Sequence, residues 1–113
     1  MNVVHGTPTQ QVSEQLSKQP FTDELGLTQM RANVWTIAEG AMMKHAHREQ
    51  EELYFVLDGV GQIEIDGEVV AIGERDAIVV PAGSTHQVSN TGIGPLTFLA
   101  IGSPNVAGDA EQG

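Results

Sequence analysis

The sequence predicts an all-β domain built as a sandwich or barrel of short antiparallel strands. Three observations carry this. Between Leu27 and Ile101, apolar residues alternate with polar ones or form runs of four to six. Each run closes at Gly, Asp, Asn or Pro. No stretch in that span reads as a long helix.

The elements follow in order. Residues 1–24 form a polar N-terminal arm, with a short strand or helical turn expected around Val12 to Leu16. The domain proper spans residues 25–103. Met30, Ala32, Val34 and Thr36 alternate with Arg31, Asn33, Trp35 and Ile37, which is the period of a strand. Leu53 to Leu57 is rich in aromatic and branched side chains and closes at Asp58-Gly59. Gln62 to Ile65 and Glu68 to Ile72 flank Asp66-Gly67, a strong hairpin signal because both turn positions need positive φ. Ala77 to Val80 stops at Pro81, Thr85 to Ser89 stops at Asn90-Thr91-Gly92, and Leu96 to Ile101 is the last apolar run. The small, polar and acidic tail, residues 104–113, is expected to be flexible. There is no sign of a second domain, a linker or an internal repeat.

Composition narrows the functional classes. A chain of 113 residues supports one core. Five Lys and Arg against fifteen Asp and Glu give a formal net charge of −10, which disfavours nucleic acid and anionic membrane as partners. No apolar run approaches the roughly 20 residues of a membrane span, and no signal peptide is expected. The absence of cysteine excludes a disulfide framework, a thiolate metal site and a cysteine nucleophile, and it fits a cytoplasmic location. A domain this small gains by burying its apolar outer faces, so a homodimer is expected.

The chemistry concentrates in three of the four histidines. His45 and His47 form a His-x-His pair, Glu52 follows five positions after His47, and His86 lies in a second cluster, Pro81 to His86. Residues two apart on a strand share a face, so the paired imidazoles reach the same side. Glu52 opens the next strand, and a closed barrel would carry His86 across to meet them. Three imidazoles and a carboxylate suit a divalent transition metal, with little selectivity among Mn, Fe, Zn, Ni and Cu. Open coordination positions would remain for a small-molecule ligand or substrate.

The stretch Gly40 to Gly59, with its glycine, His-x-His, spaced Glu and closing Gly, resembles the first motif of the cupin superfamily. Pro81-Ala82-Gly83-Ser84-Thr85-His86 followed by Asn90 resembles the second. The likeness to small single-domain cupins implies an antiparallel jelly-roll β-barrel, a double-stranded β-helix, with one metal held by His45, His47, Glu52 and His86. The six residues between Glu52 and Gly59 select Glu52 over the adjacent Glu51, and strand parity then turns Glu52, Tyr54 and Val56 inward. Two positions depart from the motifs. Gly40 and His45 have four residues between them where five are usual, and Arg75 stands where the second motif has a glycine. The turn at Arg75 is therefore expected to be wider or to use a non-glycine residue.

The walls of a substrate pocket are expected from Met43, Tyr54, Trp35, Arg31 and Phe98. Met43 shares the parity of the histidines, Tyr54 carries a hydroxyl, and Arg31 could meet an anionic group. Core packing is the competing role for Met43, Tyr54, Trp35 and Phe98, and charge balance the competing role for Arg31. Asn90 reads as a turn residue, and Ser84 lacks a neighbouring base. No separate general base is visible, so the catalytic residues are unassigned. The resemblance spans metal-dependent oxygenase, decarboxylase and isomerase chemistry. A non-catalytic small-molecule-binding or sensing cupin, or a barrel with a structural metal, are the alternatives.

Overall fold

The computed structural model describes residues 3–8 and 10–112. Among them lie twelve strands: β1 (Gln10–Gln11), β2 (Leu16–Gln19), β3 (Arg31–Ile37), β4 (Gly40–Ala41), β5 (His45–His47), β6 (Glu51–Asp58), β7 (Val60–Ile65), β8 (Glu68–Gly73), β9 (Ala77–Val80), β10 (His86–Asn90), β11 (Leu96–Ser103) and β12 (Ala110–Gln112). One short helix, α1 (Phe21–Leu25), precedes β3. One sheet runs β1-β2-β3-β11-β6-β9 and the other β12-β5-β10-β7-β8, with β4 also paired to β10. Every pairing is antiparallel. The architecture is a jelly roll.

Alternation places the core between the sheets. On β6, Glu52, Tyr54 and Val56 are buried while Leu53 and Leu57 face outward. Ile37, Val56, Ile63, Val80, Val88, Leu96 and Phe98 meet in the interior. At the β7–β8 hairpin, Asp66 (φ 48°) and Gly67 (φ 88°) both take positive φ, as the Asp-Gly signal requires. Gly59 (φ 91°) turns the chain from β6 into β7, and a Cβ there would strike the Pro95 carbonyl.

Asn90 ties the sheets together at one end. Its Nδ2 donates to the carbonyls of Ile37 (2.9 Å), Ala38 (3.2 Å) and Gly94 (2.9 Å), and its Oδ1 accepts from Gly92 N–H (2.9 Å). Its place in the second motif is thus structural.

The closed barrel is not found. Among the described residues no ladder joins the two sheets, because the chain passes between them through turns, at Gly59 and at Glu74 to Asp76 among others. His86 accordingly does not cross a barrel. It sits on β10 directly opposite His45 of β5 in the same sheet, and Glu52 is the ligand candidate that comes from the other sheet.

The ends of the chain join the sheets. Where the sequence suggests a short strand or helical turn around Val12 to Leu16, a strand begins only at Leu16, runs to Gln19 and pairs with β3. Helix α1 is fixed there by Thr22, whose Oγ1 accepts from Ala32 N–H (2.8 Å) and donates to Ala32 O (3.1 Å). In the tail, β12 pairs with β5. These additions depend on free sheet edges, which no local pattern reports.

At the second-motif departure, Arg75 takes the left-handed conformation itself (φ 69°). Its N–H donates to Val56 O (2.9 Å), and Asp76 Oδ2 accepts from Gly73 N–H (2.8 Å), so the turn keeps its shape without glycine. A non-glycine residue there carries about 1–2 kcal/mol of strain, partly offset by the entropy a glycine would lose. Arg75→Gly is therefore expected to stabilise the fold by about 0.5–1 kcal/mol in urea denaturation. A loss of stability would contradict this account of the turn.

Candidate metal centre

His45 and His47 project inward from β5, His86 from β10 and Glu52 from β6. Their candidate donor atoms lie within 4.8 Å of one another. The Nε2 atoms of His47 and His86 are each 3.1 Å from Glu52 Oε1. Donors about 2.1 Å from one ion and at right angles to each other stand about 3.0 Å apart, so these spacings suit neighbouring ligands of one metal.

Backbone carbonyls set the imidazole tautomers. Nδ1–H of His45 donates to Met43 O (3.0 Å) and Nδ1–H of His86 donates to Ser84 O (3.1 Å). A carbonyl can only accept, so in both neutral rings Nε2 carries the free lone pair, the arrangement that metal-binding histidines use. His86 is 1% exposed, and its Nε2 lacks a hydrogen-bond partner among the described residues. That lone pair faces the Glu52 carboxylate, acceptor to acceptor. A buried acceptor left in that state costs free energy, and a cation at the centre of the four groups would satisfy it. The donor set therefore fits a divalent transition metal.

Titration properties agree with ligand duty. Burial pushes the Glu52 carboxyl up, but the hydrogen bonds and positive charge that His47 and His86 offer when protonated outweigh it and hold the group at about 2. Burial lowers the pKa of His45, helped by His86 and His47 and opposed by the Met43 carbonyl and Glu52. Burial raises Tyr54, with Glu52 adding to the shift, so the phenol keeps its proton. Tyr54 donates that proton's hydrogen bond to Glu52 Oε1 (3.3 Å).

Beside the four groups lies a cavity of about 280 Å³. Met43, Trp35, Arg31 and Tyr54 line it. Phe98 does not: it is 1% exposed within the core, its ring 5.3 Å from that of Tyr54. Sequence reasoning missed two buried polar residues. Gln50 lines the cavity and donates from Nε2 to Pro104 O (3.3 Å). Asp109, 2% exposed, accepts the backbone N–H groups of Glu49 (3.0 Å) and Gln50 (2.9 Å), and its Oδ2 lies 3.9 Å from His47 Nδ1. It thereby fixes the turn that carries the chain from His47 to Glu52. Nothing in an acidic tail distinguishes Asp109 from its neighbours.

A jelly roll with three imidazoles and one carboxylate converging beside a cavity defines a small β-domain equipped for a metal centre. The profile of the cupin domain matches residues 33–102, and the chain belongs to that family. It is 29% identical over 79 residues to an uncharacterised protein of Methanocaldococcus jannaschii, covering 70% of this chain and 63% of that protein. An oxalate-binding protein of Thermotoga maritima is 35% identical over 57 residues, 50% of this chain and 47% of that one. The crystal structure of a cupin-superfamily sugar phosphate isomerase from Silicibacter pomeroyi superposes with a TM-score of 0.74 at 28% identity, covering 81% of this chain and 61% of the other. The chain thus spans less than two thirds of the length of these relatives.

Replacing two donors at once, His45→Ala with His86→Ala, is expected to reduce bound metal from about one per chain to below a tenth, as read by elemental analysis. Unchanged content would remove these residues from the site. Acid should act in a defined window. A histidine with a lowered folded pKa takes its proton more readily when unfolded, so its contribution to stability is lost as pH falls below 6.5. Protons also compete with metal for the imidazoles. Metal retained on dialysis at pH 7.5 is expected to leave by pH 5, and equal retention at both would contradict the assignment.

Proposed function

We propose that this cupin is a metal-dependent enzyme acting on a small polar organic molecule at a divalent centre held by His45, His47, Glu52 and His86. The observation that carries the reading is that three of the four donors, His45, His47 and Glu52, line a 280 Å³ cavity, with His86 buried behind them. A metal with a purely structural role would need no such space. When bound, the ion supplies Lewis acidity at the substrate, or electron transfer if it is iron or manganese.

The chain's own residues set the remaining terms. Tyr54 keeps its proton and holds the Glu52 carboxylate in one orientation through the 3.3 Å contact. Trp35 and Met43 present apolar surface to the cavity, Met43 at its exposed rim. The titratable side chains lining the cavity are Arg31, His45, His47, Glu52 and Tyr54. Three of these are ligand candidates, Arg31 offers no acceptor and Tyr54 keeps its proton, so among the described residues the cavity wall holds no free general base. The names of two relatives, an oxalate-binding protein and a sugar phosphate isomerase, support a small oxygen-rich substrate. A dioxygenase reaction is the form of this reading with iron or manganese bound.

The scarcity of acid–base groups in the cavity favours one second reading, a cupin that binds its ligand without turning it over. Protein loaded separately with Mn, Fe, Zn, Ni and Cu and offered small hydroxy and oxo acids separates the two. Metal-dependent product formation or oxygen uptake, reduced at least about 100-fold by His86→Ala, is the expected result. Binding without turnover for every metal would establish the second reading.

The same reading includes a homodimer formed through the outer face of the first sheet. There Val79 (58% exposed), Leu53 (44% exposed) and Ile101 form one cross-strand row. Sedimentation is expected to show a dimer that Leu53→Asp converts to monomer; a monomeric parent would overturn this assembly.

A further inference from the structure

Strand register explains why the cavity lies where it does. On the inner face of the first sheet, Arg31, Gly102 and Glu52 occupy one row across β3, β11 and β6, and Asn33, Ala100 and Tyr54 occupy the next. The two β11 residues between the walls are therefore glycine and alanine, the smallest available. The Gln50 side chain lies over Gly102, where a Cβ would strike its Cδ. The Ala100 row stays open and forms the floor. All six residues, with Gln50, line the cavity. Its two walls are thus chemically distinct: Glu52 and Tyr54 with the histidines on one side, Arg31 and Asn33 on the other. Their strands lie two interstrand spacings apart, about 10 Å.

Charge distribution gives these walls a ligand. The chain carries a net charge of −10 and only five Lys and Arg. Lys44 is engaged by Glu64 (3.5 Å) and Lys18 lies over the Trp35 ring (5.2 Å). Arg31 has no carboxylate within ion-pairing reach among the described residues. A guanidinium on a cavity wall with no ion-pair partner among the described residues, in a chain with three times as many acids as bases, is a site for an anionic ligand group. Across the floor, a divalent ion balanced by the single carboxylate of Glu52 keeps one net positive charge. The cavity therefore presents two positive loci with a neutral floor between them.

We propose that the cavity selects a small organic diacid, one end bound by oxygen atoms at the metal centre and the far carboxylate held by Arg31, with Asn33 beside it. The inference rests on the metal reading above. One guanidinium matches a singly charged carboxylate, and the span from wall to wall suits a chain of about five carbons, given the two-strand separation less the reach of the side chains.

The test uses zinc-loaded protein and two probes sharing a hydroxy-carboxylate head and a five-carbon skeleton. 2-Hydroxyglutarate ends in a carboxylate and 2-hydroxypentanoate in a methyl group. Zinc per chain is measured first, then each acid is titrated by calorimetry into the parent and into Arg31→Gln. The parent is expected to bind 2-hydroxyglutarate at least about tenfold more tightly, and Arg31→Gln to abolish that preference with zinc content unchanged. Equal affinities in zinc-loaded parent, or a preference that survives Arg31→Gln, would overturn the role of Arg31 and leave the metal centre standing. A parent that holds no zinc, nor any other divalent ion, would overturn the metal reading and this inference with it.

Discussion

The contact between Glu52 and the imidazoles of His47 and His86 is the constraint on which the remaining structure depends. One carboxylate oxygen stands 3.1 Å from two Nε2 atoms that belong to the opposite sheet. A buried carboxylate is costly unless charge and hydrogen bonds compensate it. Here a cation shared with the imidazoles, or their protonation, can supply that compensation only with the sheets in one register. A shift of β6 by one residue would turn Glu52 to solvent and bring Glu51 or Leu53 inward. The turn from His47 to Glu52, held by Asp109 through Glu49 and Gln50, secures that register from outside the strands. The ladder between β10 and β5 secures the histidines.

The cavity follows from the same register. Each inner position opposite Glu52 and Tyr54 on β11 is small, so the space a normal core would fill is left beside the donor set. One row further along, Phe98 meets Val56 and the interior closes. Site and core are consecutive rows of one sheet face, and their separation is a matter of side-chain volume on β11. The apolar rows supply folding free energy, and the polar rows impose a cost that a bound cation would relieve.

Parity and spacing make most of the donor set legible in the sequence. His45 and His47 share a face through the strand period, and the motif spacing to Gly59 picks Glu52 over Glu51, after which parity turns it inward with Tyr54 and Val56. The hairpin at Asp66-Gly67 is equally legible, because its two residues favour the positive φ that the turn demands. Three features are not. The sequence suggests that His86 crosses a barrel, yet its partner is a strand neighbour in an open jelly roll, since pairing order is not written in local pattern. Phe98 reads as a pocket residue, yet Ala100 and Gly102 shape the cavity, because a cavity is defined by missing volume. Asp109 hides in a tail whose composition suggests nothing but solvent. In each case the deciding information is which strand lies beside which.

The central claim is that three imidazoles and one carboxylate bind a single divalent ion whose remaining positions face the cavity. X-ray absorption at the metal edge of purified, metal-replete protein tests it most directly. The account predicts three imidazole nitrogens and at least two oxygens, one from Glu52 and the others from water or ligand, at about 2.0–2.2 Å for zinc. A spectrum with fewer than three imidazoles, or with every position filled by protein atoms, would contradict it.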